Sequence, residues 1–171
     1  MITGQITGDE QLIEAFRAMP TDVRQSVARR VLRLSIVLQR HVKERKLSGQ
    51  VLRNRTGRLR RSITREVTEQ PTAIIAKVGT NVSYARIHEY GGVVRAHDVY
   101  PKHAKALSFI WHGKRVFFAR VHIPQIKMPE RSFLRSSLRE LRGQITSELK
   151  AEVHGALKST LSRQAAALRK G

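Results

Sequence analysis

Two long stretches of the chain repeat apolar residues at steps of three and four, and between them the period falls to two. In the first stretch Val23, Val27, Val31, Leu34, Leu38 and Val42 share one face of a helix predicted from Asp22 to about Arg45, roughly 36 Å long at about 1.5 Å per residue. Thr21 is its expected cap, and Leu47-Ser48-Gly49-Gln50 its expected end. A shorter helix is expected before it, over Asp9 to Phe16, with acidic residues in its first turn and Pro20 as its stop. From Ser132 onward Leu134, Leu138, Leu141, Ile145, Leu149, Val153 and Leu157 restore the helical period, predicting a last helix that runs towards Leu168.

The middle of the chain alternates. Ile63, Arg65 and Val67, then Ala73 to Val78, predict a hairpin turned at Gln70-Pro71-Thr72. Tyr84 to Tyr90 predicts a short helical turn closed by Gly91-Gly92, residues suited to the positive φ of a helix end. Leu107 to Trp111 and Val116 to Ile123 predict two strands flanking His112-Gly113-Lys114-Arg115, with an edge strand over Val93 to Tyr100. Pro124 and Pro129 are expected to bound an extended loop.

The fold class is therefore α+β: a long N-terminal helix, a central mainly antiparallel sheet of about four or five strands, and a long C-terminal helix. Residues 1–154 are expected to form one domain with a basic arm at 47–62, and 155–171 a C-terminal helical extension or tail. Ala165-Ala166-Ala167-Leu168 favours helix in that extension, while Gly155 and the scarcity of large apolar residues beyond Leu161 favour packing only against a partner.

Charge narrows the choice of partner. The chain carries 33 Lys plus Arg against 13 Asp plus Glu, a formal net charge of +20. Such a chain repels itself and is drawn to DNA, RNA, anionic lipid or an acidic protein surface. The basic residues concentrate from Arg24 to Arg65 and from Arg115 to Arg142 without forming an uninterrupted run, which favours solvated helix faces and an acidic interface over duplex binding. Arg53, Arg55, Arg58, Arg60 and Arg61 crowd one short segment and are the candidate interface residues. Base-stacking platforms look scarce: the nine aromatics fall largely in strand-like or helical segments, among them Tyr84, Phe109, Trp111, Phe117 and Phe118, where burial is expected.

Candidate chemistry adds little. With no cysteine, neither a disulfide framework nor a Cys-containing zinc site is available. No apolar run approaches the roughly 20 residues that cross a bilayer, and the polar, acidic start from Met1 to Glu10 is unlike a signal peptide, so no membrane partner is expected. The seven histidines include His97-Asp98, His103 and His88-Glu89, none at a metal-ligand spacing, and no nucleophile or phosphate-loop motif occurs. Between Gln70 and Met128 the carboxylates are Glu89 and Asp98, a poor supply for a magnesium-dependent nuclease. No catalytic residue, metal or cofactor is assigned, and the chain is read as a non-enzyme.

The order of several short motifs points further. Leu47-Ser48-Gly49-Gln50-Val51-Leu52 is followed by Arg55-Thr56-Gly57-Arg58-Leu59-Arg60-Arg61-Ser62-Ile63, by Val78-Gly79-Thr80-Asn81, and by Tyr84-Ala85-Arg86-Ile87-His88-Glu89-Tyr90-Gly91-Gly92. Later come Pro101 to Phe109, a strand ending at Ile123-Pro124, and Pro129-Glu130-Arg131-Ser132-Phe133-Leu134. Over roughly residues 9 to 150 this succession resembles the phage virion-morphogenesis or tail-completion family, with Glu130 a departure from the simpler Pro-Arg-Pro-Phe-Leu turn of related sequences. The resemblance implies a structural subunit of a tailed phage, assembled in the bacterial cytoplasm into the neck or tail of the virion. There it would join the head-side connector or portal to the tail tube or its terminator, as a homo-oligomeric ring. A basic lumen touching the genome would account for the net charge, and the alternative is a sequence-nonspecific DNA-binding accessory of assembly. Tyr84, His88, Glu89, Tyr90, Gly91 and Gly92 are expected to build a structural turn, with Glu89 either paired to an arginine or solvated. Phe133 and Leu134 are expected to anchor the last helix in the core.

Overall fold

The computed structural model describes residues 19–52 and 56–168. The helix expected over Asp9 to Phe16 lies outside them, as do Arg53 and Arg55. Among the described residues the order is α1 (Thr21–His41), α2 (Arg58–Arg61), β1 (Thr64–Gln70), β2 (Ala73–Gly79), α3 (Ala85–Tyr90), β3 (Gly92–Val94), β4 (His97–Val99), β5 (Leu107–Trp111), β6 (Lys114–Phe118), β7 (Val121–Ile123), β8 (Ile126–Met128) and α4 (Leu134–Leu168). The class is α+β with a long helix towards each end. The backbone divides into two compact units, one holding Arg86–Arg131 and the other the residues on either side of it.

In the outer unit, α1 packs against α4 and against both strands of the β1–β2 hairpin. Two packing partners explain why α1 buries Ala28 and Ser35 as well as Val23, Val27 and Leu34: the small residues permit close approach outside the main apolar stripe. Thr21 is the first helical residue rather than the cap; the cap position is Pro20, whose side chain has no oxygen to accept a capping bond. The chain continues past His41 through a widened turn, Val42–Lys46, where the Leu47 N–H donates to the Val42 carbonyl at 3.1 Å. In an ordinary α-helix residues five apart point in different directions; this wider winding aligns them, so Val42 and Leu47 both enter the core. That core is Val42, Leu47, Leu52, Ile63, Ala85, Phe133 and Leu134, with Leu38, Val51, Leu59, Val78 and Val82 packed around it.

Gln70 pairs with Ala73, so the first hairpin turns on Pro71 and Thr72. Arg24 of α1 donates to the carbonyls of Gln70 and Pro71, tying this turn to the first turns of the helix. Helix α4 runs antiparallel to α1, as its cross-links show: Asp22 with Thr160, Arg30 with Glu148 and Glu152, and His41 and Lys46 with Glu140. It is continuous through Gly155, where an extension was expected to begin.

The inner unit corrects the expected central sheet. Its ladders are β3–β8, β4–β7 and β5–β6, all antiparallel and nested one inside the next, while β1–β2 stands apart. The chain goes out from Gly92, reverses at His112-Gly113 and returns to Met128, so each strand has a single partner among the described residues. For that reason the strand expected over Val116 to Ile123 is two: β6 pairs with β5, and beyond Ala119-Arg120 β7 pairs with β4. Val93 to Tyr100 likewise splits into β3 and β4, and the stretch between Pro124 and Pro129 contains β8. The polar connection is two residues rather than four. His112 (φ 48°) and Gly113 (φ 77°) both take the left-handed conformation that a two-residue turn needs to match the twist of its strands.

Candidate functional site

The turn that starts the inner unit is built from its backbone outward. The His88 carbonyl accepts from the Arg131 N–H at 2.8 Å, and Gly92 pairs with Met128, so the outgoing and returning chains are clamped at their base. Between them Gly91 sits at φ 69°, where a Cβ would stand 2.9 Å from the Glu130 nitrogen and 3.0 Å from the Met128 oxygen. Only glycine meets both demands. Glu89 is fully buried, which rules out its reading as a solvated charge, and Tyr84 and Tyr90 remain exposed. Burial, and then the nearby positive charge of Arg131, lower the pKa of His88 below its ordinary value.

The basic segment is less of a free arm than its composition suggested. Leu52 and Ile63 are buried on either side of it, and Leu59 packs on the same cluster, so α2 is an anchored turn. Arg58, Arg60 and Arg61 are exposed on it, whereas Arg53 and Arg55 fall outside the described residues. Phe133 is fully buried and Leu134 nearly so, at the start of α4 in the outer unit's core.

The aromatic residues are where the structure departs most from expectation. On one face of the β5–β6 ribbon Phe109 stacks on Phe118 with ring centres 5.7 Å apart and meets Trp111 edge-on at 6.4 Å. On the other face Ile110 and Phe117 stand beside Ser108 and Arg115. Trp111 is 61 % exposed, Ile110 63 % and Phe117 65 %, although burial was expected of the aromatics. A ribbon has no second layer to cover either face. Beside the aromatic face lies a shallow groove bordered by Arg120, Val121 and His122. There Asp98 accepts from His122 Nδ1 at 2.9 Å and lies 3.6 Å from Arg120.

Among the described residues no group of three or more His, Cys, Asp or Glu side chains is placed to hold a metal ion, and no helix is long and apolar enough to cross a membrane. The sequence profile of the phage virion morphogenesis family matches residues 34–162, which takes in the C-terminal end of α1, the whole of the inner unit and most of α4. The chain belongs to the phage virion morphogenesis family. No curated protein and no solved structure matches it. As a virion morphogenesis protein it presents two kinds of surface: an apolar ribbon with both faces uncovered, and cationic faces on α1, α2 and α4. Sequence reasoning missed the first because strand-like alternation does not reveal how many partners a strand has.

Proposed function

We propose that this virion morphogenesis protein is a non-enzymatic structural subunit that completes the phage tail or joins it to the head-side connector, working as a homo-oligomeric ring. One observation carries the reading: within Arg86–Arg131 no apolar side chain is fully buried, while Ile110, Trp111 and Phe117 are each more than 60 % exposed. A two-stranded ribbon is marginal on its own in water. One with apolar residues on both faces is stabilised when neighbouring subunits supply the missing layers. The neighbours are further copies of this chain around the ring and, above and below it, connector or portal-side proteins and the tail tube or its terminator. The ribbon's free edges and the exposed Arg58, Arg60 and Arg61 of α2 are further surfaces for such contacts. In the virion the protein occupies the neck or tail.

The test is the mass and symmetry of the purified protein, by native mass spectrometry and particle imaging, alone and with its phage's connector and tail-tube proteins. A closed ring, formed alone or on the partner, is the expected result. A monomer that ignores those partners at every concentration overturns the reading.

A further inference from the structure

Helix α4 sorts its charges by face. All three of its carboxylates turn towards α1: Glu140 meets Lys46 at 2.5 Å and His41 at 3.4 Å, Glu148 meets Arg30 at 3.3 Å, and Glu152 meets Arg30 at 2.8 Å and Ser26 at 2.5 Å. The pKa values of Glu140 and Glu152 are lowered accordingly, first by the hydrogen bonds from Lys46 and Ser26 respectively. Away from that seam four cations and one histidine form a row. Arg139, Arg142, Lys150, His154 and Lys158 follow one another at helical steps of three and four, with Thr146 filling the one gap, and every one of them is exposed. None of the five makes an ion pair among the described residues. From Arg139 to Lys158 the row extends about 28 Å at about 1.5 Å per residue.

We propose that this outward face of α4 is a track for the phosphate backbone of duplex DNA, bound without reading sequence. Two features favour a duplex over an acidic protein surface. Protein interfaces are anchored by aromatic or aliphatic side chains at their centre. Between Arg139 and His154 the exposed neighbours of the row are instead small or polar, Gly143, Gln144, Ser147 and Ala151, and the two exposed leucines, Leu138 and Leu157, stand apart at its ends rather than at its centre. A regularly spaced row that winds along one ridge of the helix also suits a helical rod that carries a negative charge about every 1.7 Å of its axis. The small side chains leave the arginines and lysines standing clear, so a rod can lie along them.

The test compares two triple variants of the full chain, each losing three charges. Arg139→Gln, Arg142→Gln and Lys150→Gln strip the track; Arg29→Gln, Arg33→Gln and Arg40→Gln strip exposed arginines of α1. Binding to a labelled mixed-sequence duplex is followed by fluorescence anisotropy across a salt series. Each phosphate contact contributes about 0.9 to the slope of log affinity against log salt, so the α4 variant should have a slope shallower by about 2.7. Equivalently, the parent should lose about 40-fold more affinity than that variant over a fourfold rise in salt. The α1 variant should keep the parent slope, and Arg139→Lys with Arg142→Lys should keep it as well. Equal slope losses in the two triple variants would mean that net charge alone binds DNA and would overturn the track. Absence of duplex binding by the parent would do the same, as would displacement of the duplex by polyglutamate as readily as by unlabelled duplex. Particle mass measured on the same samples separates this inference from the ring, since an α4 variant that still assembles can lose the slope.

Discussion

Phe117→Ser separates a core residue from an interface residue by where its cost appears. In the isolated chain Phe117 is 65 % exposed, so its removal gives up about 70 Å² of burial, and the stability of dilute monomer should fall by no more than about 2 kcal/mol. If a neighbouring subunit covers the ribbon, the still-exposed part, about 130 Å² of a side chain that buries roughly 200 Å² in full, is lost from every interface. At about 25 cal/mol per Å² that is about 3 kcal/mol, on the order of a 100-fold weaker association per contact. Urea unfolding at low concentration reads the first quantity, and sedimentation across a concentration series reads the second. The reasoning fails if the variant assembles at the parent's concentration. It fails equally if the dilute monomer loses several kcal/mol, because Phe117 would then belong to the chain's own core.

Two glycine substitutions should act in opposite directions. Gly91→Ala places a Cβ at 2.9 Å from a backbone nitrogen in a left-handed conformation, and should destabilise by at least about 1–3 kcal/mol. Gly155→Ala adds a methyl that meets nothing within 4 Å in a helix interior, and should stabilise by about 1 kcal/mol; thermal melts of the pair check both signs. Phe133→Ala empties a fully buried position and should cost about 3–5 kcal/mol in urea unfolding. Because the folded pKa of His88 lies below its ordinary 6.5, the unfolded chain takes up that proton first. The stability it contributes is complete above pH 6.5 and drains away as pH falls through 6.5 towards the lowered value; His88→Gln should flatten that part of a stability profile, and an unchanged slope would refute the assignment.

The helices were legible in the sequence because their signal is local. Val23, Val27, Leu34 and Val42 repeat on one face, and the face is buried. The widened turn at Val42–Lys46 was not, since a register of five leaves no trace in a pattern scored at three and four. The strands of the inner unit were placed to within a few residues, but their pairing was not, because a strand of alternating residues looks the same with one partner or two. That loss propagated to chemistry. Once β5 and β6 were taken for members of a layered sheet, Trp111, Phe117 and Phe118 were assigned to a core that a ribbon does not have. Glu89 met the same limit: flanked by polar His88 and the exposed Tyr90, nothing local chose between a paired and a solvated carboxylate, and burial in the fold removes the solvated one.

The surplus of positive charge also reads differently once residues have neighbours. Counted along the chain, +20 is a property of the whole and favours no face. In the fold, the scarce carboxylates of α4 lie in one seam, where Glu140 meets Lys46 of the widened turn and Glu148 and Glu152 meet Arg30 of α1, cations that would otherwise repel those on the facing helix. The contacts are partly exposed and screened by solvent, so the apolar stripe rather than the ion pairs holds the helices together. Their larger consequence is directional. By engaging the acids of α4 they leave the cations of the row from Arg139 to Lys158 without an ion pair among the described residues, so the same few residues that relieve repulsion inside the subunit define its electrostatic face to the outside.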